Sequence, residues 1–125
     1  INPTIELQLP IKTNFVSLLR HVAGSAAAHA DLTIDFLDDT KIACSEAAVL
    51  LIQNAPDEST YSWRWYCSEK RVDVEASSPT TLADLPDFSE MEGFTWTVLS
   101  AVAKNLTAEL RDGQLVLAFS IFEIA

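Results

Sequence analysis

The sequence predicts an α+β fold, a two-layer sandwich in which a mixed β-sheet carries helices on one face. Two observations predict it. Hydrophobic periodicity switches between two and 3.6 residues in the order strand, helix, helix, hairpin, loop, helix, hairpin. The chain also has 125 residues, 49% hydrophobic and 21% charged, enough for one domain over residues 1–125 with a real core. Three glycines and five prolines are scattered, with no repeat and no low-complexity tract.

Ile5, Leu7 and Leu9 alternate with Glu6 and Gln8, the signature of a half-buried strand, and Pro10 closes it. Thr13 or Asn14 can cap a first helix whose apolar positions Phe15, Leu18, Leu19 and Val22 recur at helical spacing. The helix runs on through alanines to His29, with Gly24 expected to kink or end it. Thr33 is a second cap, opening a central helix with Ile34, Leu37, Ile42, Leu50 and Leu51 before Pro56. Asp35, Asp38 and Asp39 place negative charge at the positive end of its dipole. Tyr61, Trp63, Trp65 and Cys67 then alternate with polar neighbours, and Glu69-Lys70 turns the chain into Val72 to Ala76, an antiparallel hairpin. Ser77 to Glu92 reads as one long loop. A third helix spans about Phe94 to Lys104, and Asp112-Gly113 joins Leu106–Leu110 to Leu115–Ile121 in a second hairpin.

Eighteen acids against eight bases give a net charge of -10, a surface that repels phosphate backbones and anionic headgroups. Neither direct nucleic-acid binding nor membrane association is expected. Cys44 and Cys67 lack metal-ligand spacing and are expected to be buried thiols. No apolar stretch approaches the ~20 residues that span a bilayer, so a cytoplasmic protein is expected. The first residue is Ile1, as expected of a trimmed, processed or excised chain.

At Asp39-Thr40-Lys41-Ile42-Ala43-Cys44-Ser45-Glu46-Ala47-Ala48 the chain resembles the anti-sigma-factor protein-serine kinases of bacterial stress and sporulation control. These belong to the histidine-kinase-like (Bergerat-type) ATPase superfamily, with gyrase and the heat-shock chaperone. The element order derived above is also that family's order. The resemblance implies an ATP pocket built from three motifs. Glu46 keeps the family's activating glutamate, but the magnesium-holding asparagine one turn later is Leu50, which has no oxygen to give. Asn54 falls where many relatives have histidine. The adenine-binding Asp-x-Gly is replaced by Ala76-Ser77-Ser78-Pro79-Thr80. A hydrogen bond to a charged acceptor is worth roughly 1.5–3 kcal/mol, so losing that aspartate weakens ATP by about ten- to a hundredfold. The phosphate-wrapping Gly-x-Gly survives at most as Gly93 of Gly93-Phe94-Thr95. The lid segment carries Asp84, Asp87, Glu90 and Glu92 and no lysine or arginine, a composition that repels a triphosphate.

The expected site is therefore a degenerate nucleotide pocket at Glu46, Leu50, Asn54, Ser78 and Gly93. It has no catalytic residue beyond a vestigial Glu46, no metal, and no use for ATP or magnesium. Leu50 is expected in the core, as are Trp63 and Trp65, which share a strand face with Tyr61. Arg64 and Tyr66 lie on the opposite face. His21 and His29 stand without partners for a triad or a metal. Arg20 matches in spacing the arginine with which the resembled kinases reach the sigma factor and its antagonist. The competing reading of Arg20 is an ion pair with an acid such as Asp31. The leading functional reading is a regulatory domain that binds a sigma factor or an anti-sigma antagonist without nucleotide. Beside it stand an active ATP-dependent protein-serine kinase anti-sigma factor and a dimerisation domain of a larger signalling protein. A homodimer through the aromatic hairpin Tyr61–Cys67, taken as an apolar sheet edge, is also expected.

Overall fold

The computed structural model describes residues 1–91 and 93–123. Strand β1 (Ile5–Pro10) leads through a 3-10 turn (Thr13–Phe15) into helix α1 (Val16–His29), and helix α2 (Ile34–Gln53) follows. The hairpin β2 (Thr60–Ser68) and β3 (Arg71–Pro79) comes next, then a 3-10 turn (Phe88–Glu90), helix α3 (Thr95–Val102), and the hairpin β4 (Lys104–Arg111) and β5 (Gln114–Phe122). The α+β class holds. The sheet, however, is not mixed: its order is β1-β2-β3-β5-β4 and every neighbouring pair is antiparallel. The connection through α1 and α2 returns the chain beside β1 in the opposite sense, so no parallel crossover is formed.

Alternation does the sorting. Tyr61, Trp63 and Trp65 on β2 and Val72, Val74 and Ala76 on β3 are buried beneath the helices, as are Leu115, Leu117, Phe119 and Ile121 on β5. Tyr61 meets Trp63 edge-on at 5.6 Å, and Trp63 stacks on Trp65 at 5.8 Å. These rings are core, and because β2 lies between β1 and β3 the aromatic strand is not a sheet edge. The expected dimer route through it is thereby removed. The edges are β1 and β4.

α1 lies over β2 and β3, α2 over β3 and β5, and α3 packs on α2. The alanines of α1 and α2 (Ala23, Ala26, Ala27, Ala43, Ala47, Ala48) are buried. Small side chains let the two helices lie close to each other and to the large rings below.

Several local expectations are corrected. α1 begins one 3-10 turn after Thr13, at an N-cap Phe15 with no side-chain cap bond. Gly24 does not end α1, but lies buried within it. Thr33 flanks α2 as expected, though its side chain makes no cap bond; instead its N–H donates to Glu123 Oε1 at 2.9 Å. β3 extends through Ser77-Ser78-Pro79, which shortens the loop, and Lys104 belongs to β4 rather than α3. Lys70 and Asp112 take the positive φ values of 60° and 52° their turns require. Cys44 is fully buried, but Cys67 only partly.

Candidate functional site

α2 carries Glu46 and Leu50 one turn apart on one side, and Asn54 follows as its C-cap. The structure nevertheless gives them three different settings. Leu50 is 3% exposed. Together with Gln53, Phe88, Met91, Gly93, Thr95 and Trp96 it surrounds a residual space of about 10 Å³. Phe88, 5% exposed, reaches this site from the loop after β3 and stacks on Trp96 of α3 with 5.4 Å between ring centres. Asp87 holds the short turn that delivers it, its carboxylate accepting from the Ser89 N–H at 3.0 Å.

Gly93 has φ 92°, a conformation that a side chain disfavours, but a Cβ there would meet nothing within 4 Å. No neighbouring atom of the chain requires a glycine there; its positive φ does. Asn54 caps α2: its Nδ2 donates to the Leu50 carbonyl at 2.8 Å, while its own carbonyl accepts from Thr80 Oγ1 at 2.7 Å. Ser78 is fully buried near the end of β3, and its Oγ has no hydrogen-bond partner. Of the expected acidic lid, Asp84, Asp87 and Glu90 are exposed, and Glu92 lies outside the described residues.

Glu46 belongs elsewhere. With Arg20, Asp38, Lys41, Ile42 and Ser45 it lines a cavity of about 390 Å³ between α1 and α2. The exposed Arg20 is not paired with Asp31, whose carboxylate instead meets Lys70 Nζ at 3.2 Å. Arg20 Nε donates to Ser45 Oγ at 2.9 Å, and Ser45 in turn donates to the Lys41 carbonyl at 2.8 Å. The guanidinium is thus oriented from the middle of α2 while its terminal nitrogens remain available. His21 Nδ1 donates to the Ser17 carbonyl at 2.8 Å. Among the described residues no group of His, Cys, Asp and Glu side chains has metal-binding geometry, and no helix is long and apolar enough to cross a membrane.

The structure therefore joins Leu50 to Gly93, and Glu46 to Arg20, but does not gather the five expected pocket residues around one space. Sequence reasoning missed Phe88, Trp96 and Lys41. Phe88 gave one usable signal, a lone aromatic behind a capping aspartate in a polar loop.

No family model matches the chain. Among curated proteins, the serine-protein kinase RsbW of Halalkalibacterium halodurans is 30% identical over 91 residues, 72% of this chain and 56% of that protein. The chain thus spans little more than half the length of that relative. The anti-sigma-F factor RsbW of Mycobacterium tuberculosis is 28% identical over 120 residues, 96% of this chain and 70% of its own length. Over these extents the chain is similar to an RsbW serine-protein kinase and to an RsbW anti-sigma-F factor, and its α+β element order agrees with the one the periodicity predicts.

Proposed function

We propose that this domain is an anti-sigma-type regulator that acts by binding a protein, a sigma factor or an anti-sigma antagonist, through the α1 surface around Arg20. The names of its relatives support the class: one is an anti-sigma-F factor and another a serine-protein kinase. The observation that carries the reading is Arg20 itself. It is an exposed guanidinium in a chain of net charge -10, oriented by Ser45 and in no ion pair with a described carboxylate. Arginine presents five donors in a fixed fork, which suits a partner carboxylate.

Nucleotide dependence is proposed to be lost. Leu50, Phe88 and Trp96 close the space beside Gly93 with apolar surface, and a volume of about 10 Å³ holds no base or phosphate. The segment Ala76–Thr80 offers no aspartate for the adenine amino group, and the Ser78 hydroxyl is fully buried. These residues do not fit ATP with magnesium, and no phosphoryl-transfer step is derived for them. Without a catalytic site, Glu46 serves as part of the α1–α2 surface.

A pair of copies is also proposed, now through the open face of the sheet, where Tyr66, Ala118 and Phe122 lie half-buried among charged side chains. Light scattering at high concentration tests it, and a monomeric mass removes it. Direct contact with nucleic acid is not proposed, given the charge.

The experiment for the main reading is calorimetric titration of the purified chain with each sigma factor and antagonist of the source cell. One of them binds, Arg20→Ala weakens it by at least about tenfold, and Glu46→Ala keeps it. Loss of binding with Glu46→Ala but not Arg20→Ala gives the old pocket side the leading role instead.

A further inference from the structure

The chain holds three sulfur atoms, and they differ in how they can react. Cys44 is fully buried, and Cys67 is partly covered, its Sγ donating to the Ala26 carbonyl at 3.5 Å. The third belongs to Met91, the one methionine in the sequence, which is 39% exposed. A thiol reacts as its thiolate, whereas a thioether has no proton to lose before it acts as a nucleophile. An oxidant can therefore modify Met91 at a pH that keeps both cysteines protonated and slow to react.

Met91 stands where added polarity is felt. It lines the space of about 10 Å³ that Leu50, Phe88 and Trp96 also line. Its N–H donates to the Phe88 carbonyl at 3.4 Å, and the Glu90 N–H donates to the Asp87 carbonyl at 3.1 Å. Met91 thus closes the short turn that seats the Phe88 ring against Trp96.

A thioether sulfur is polarizable and suits a site walled by aromatic rings. A sulfoxide is polar and carries a strong hydrogen-bond acceptor. The space is at the lower limit for a single water molecule, so an added oxygen cannot enter it without moving a wall. An oxygen turned to solvent instead draws the Met91 side chain away from the rings. Either response acts on the turn that holds Phe88.

We propose that Met91 is a reversible oxidation site, and that its conversion to the sulfoxide releases Phe88 from Trp96 and frees the loop after β3 from α3. The oxidant is a peroxide. The sulfur lone pair attacks one peroxide oxygen, an S–O bond forms as the O–O bond breaks, and the second oxygen leaves as water. Sulfur loses two electrons and the peroxide gains them. A thiol-dependent methionine sulfoxide reductase reverses the change, the oxygen leaving as water while two thiols become a disulfide.

The test treats the whole chain, carrying 13C-labelled phenylalanine rings, with millimolar hydrogen peroxide at about pH 5, where thiols are protonated. Mass spectrometry is expected to find one added oxygen on the peptide containing Met91 and none on either cysteine. The Phe88 ring signals, assigned with Phe88→Leu, are displaced by the Trp96 ring, and Trp96→Ala supplies their unstacked positions. Oxidation is expected to move them most of the way to those positions while the signals of Phe119, in the core under the helices, stay in place. Reductase with dithiothreitol should restore the original spectrum. Met91→Leu, similar in volume but inert to peroxide, should keep Phe88 stacked throughout. Met91 unreactive until urea is added, a sulfoxide that leaves Phe88 in place, or the same displacement in Met91→Leu each overturns the proposal. Movement of Phe119 together with Phe88 also overturns it, because the whole fold has then opened rather than one loop.

Discussion

Phe88 stacks on Trp96 with 5.4 Å between ring centres and 26° between ring planes, joining the loop after β3 to the third helix across the small space that Leu50 and Gly93 also line. The loop is thereby fastened over that site from within the chain, and Leu50 closes it from below.

Calorimetric titration with ATP and magnesium is expected to show no saturable heat up to millimolar nucleotide. Phe88→Ala should lower stability by about 3 kcal/mol in urea unfolding, because a buried ring is lost from a closed packing site. It should still bind no ATP, since the adenine acceptor remains absent. Micromolar binding by the unmodified chain would put the kinase reading first.

Leu50→Asn, which places an amide where the resemblance implies a magnesium ligand, is expected to cost about 2–4 kcal/mol and to recover no nucleotide binding. Leu50 is 3% exposed, so the new amide would be buried among rings that cannot hydrogen-bond well. A chemical-denaturation midpoint equal to that of the unmodified chain would show that the site is open to water after all.

Asp39 carries a pKa raised above its ordinary value, by burial first and then by repulsion from Asp35 and Asp38, with Lys104 opposing. The folded state therefore holds its proton to higher pH than the unfolded chain. Stability falls as pH rises from the unfolded value near 3.8 through the raised folded one. Asp39→Asn should be more stable than the parent at neutral pH, with the gap closing below that window. Thermal unfolding across the acid range measures it, and a gap that widens toward acid contradicts the assignment.

Thiol reactivity should separate the two cysteines. Burial pushes the Cys44 thiol up to about 12, the Trp65 side chain opposing. Burial also raises Cys67, with Thr4 opposing, but that residue is only partly covered. An aromatic disulfide reagent at mildly alkaline pH should label Cys67 slowly and Cys44 only on unfolding, read by mass spectrometry. Rapid labelling of both would mean that the helical layer opens readily.

Periodicity made most of this fold legible. β2 and β3 alternate so regularly that their buried face, Tyr61-Trp63-Trp65 and Val72-Val74-Ala76, could be named in advance, and Asp112-Gly113 located the last turn. The end of β3 could not be read, because Ser77-Ser78-Pro79 has no apolar residue to mark the inner face even though Ser78 is fully buried on it. The sense of the sheet was hidden too, since alternation says which face is inward but not which way a neighbour runs. At the site, Leu50 and Arg20 were visible as departures from, or matches to, a family pattern. Trp96 and Lys41 were not, having no period of their own, and Phe88 was marked only by the capping aspartate before it.

The strand order has a consequence for how this chain meets other copies in an unwanted way. Both outer strands are poor templates for end-to-end growth. β1 is six residues long and finishes at Pro10, which lacks a donor N–H, while β4 is interrupted by a register shift between Lys104 and Thr107, with Asn105 at φ 56°. Glu109 and Arg111 add charge to the same outer strand. The three inner strands, β2, β3 and β5, are flanked on either side by strands that do not invite a further neighbour, so at high concentration the native fold should resist fibrillar stacking.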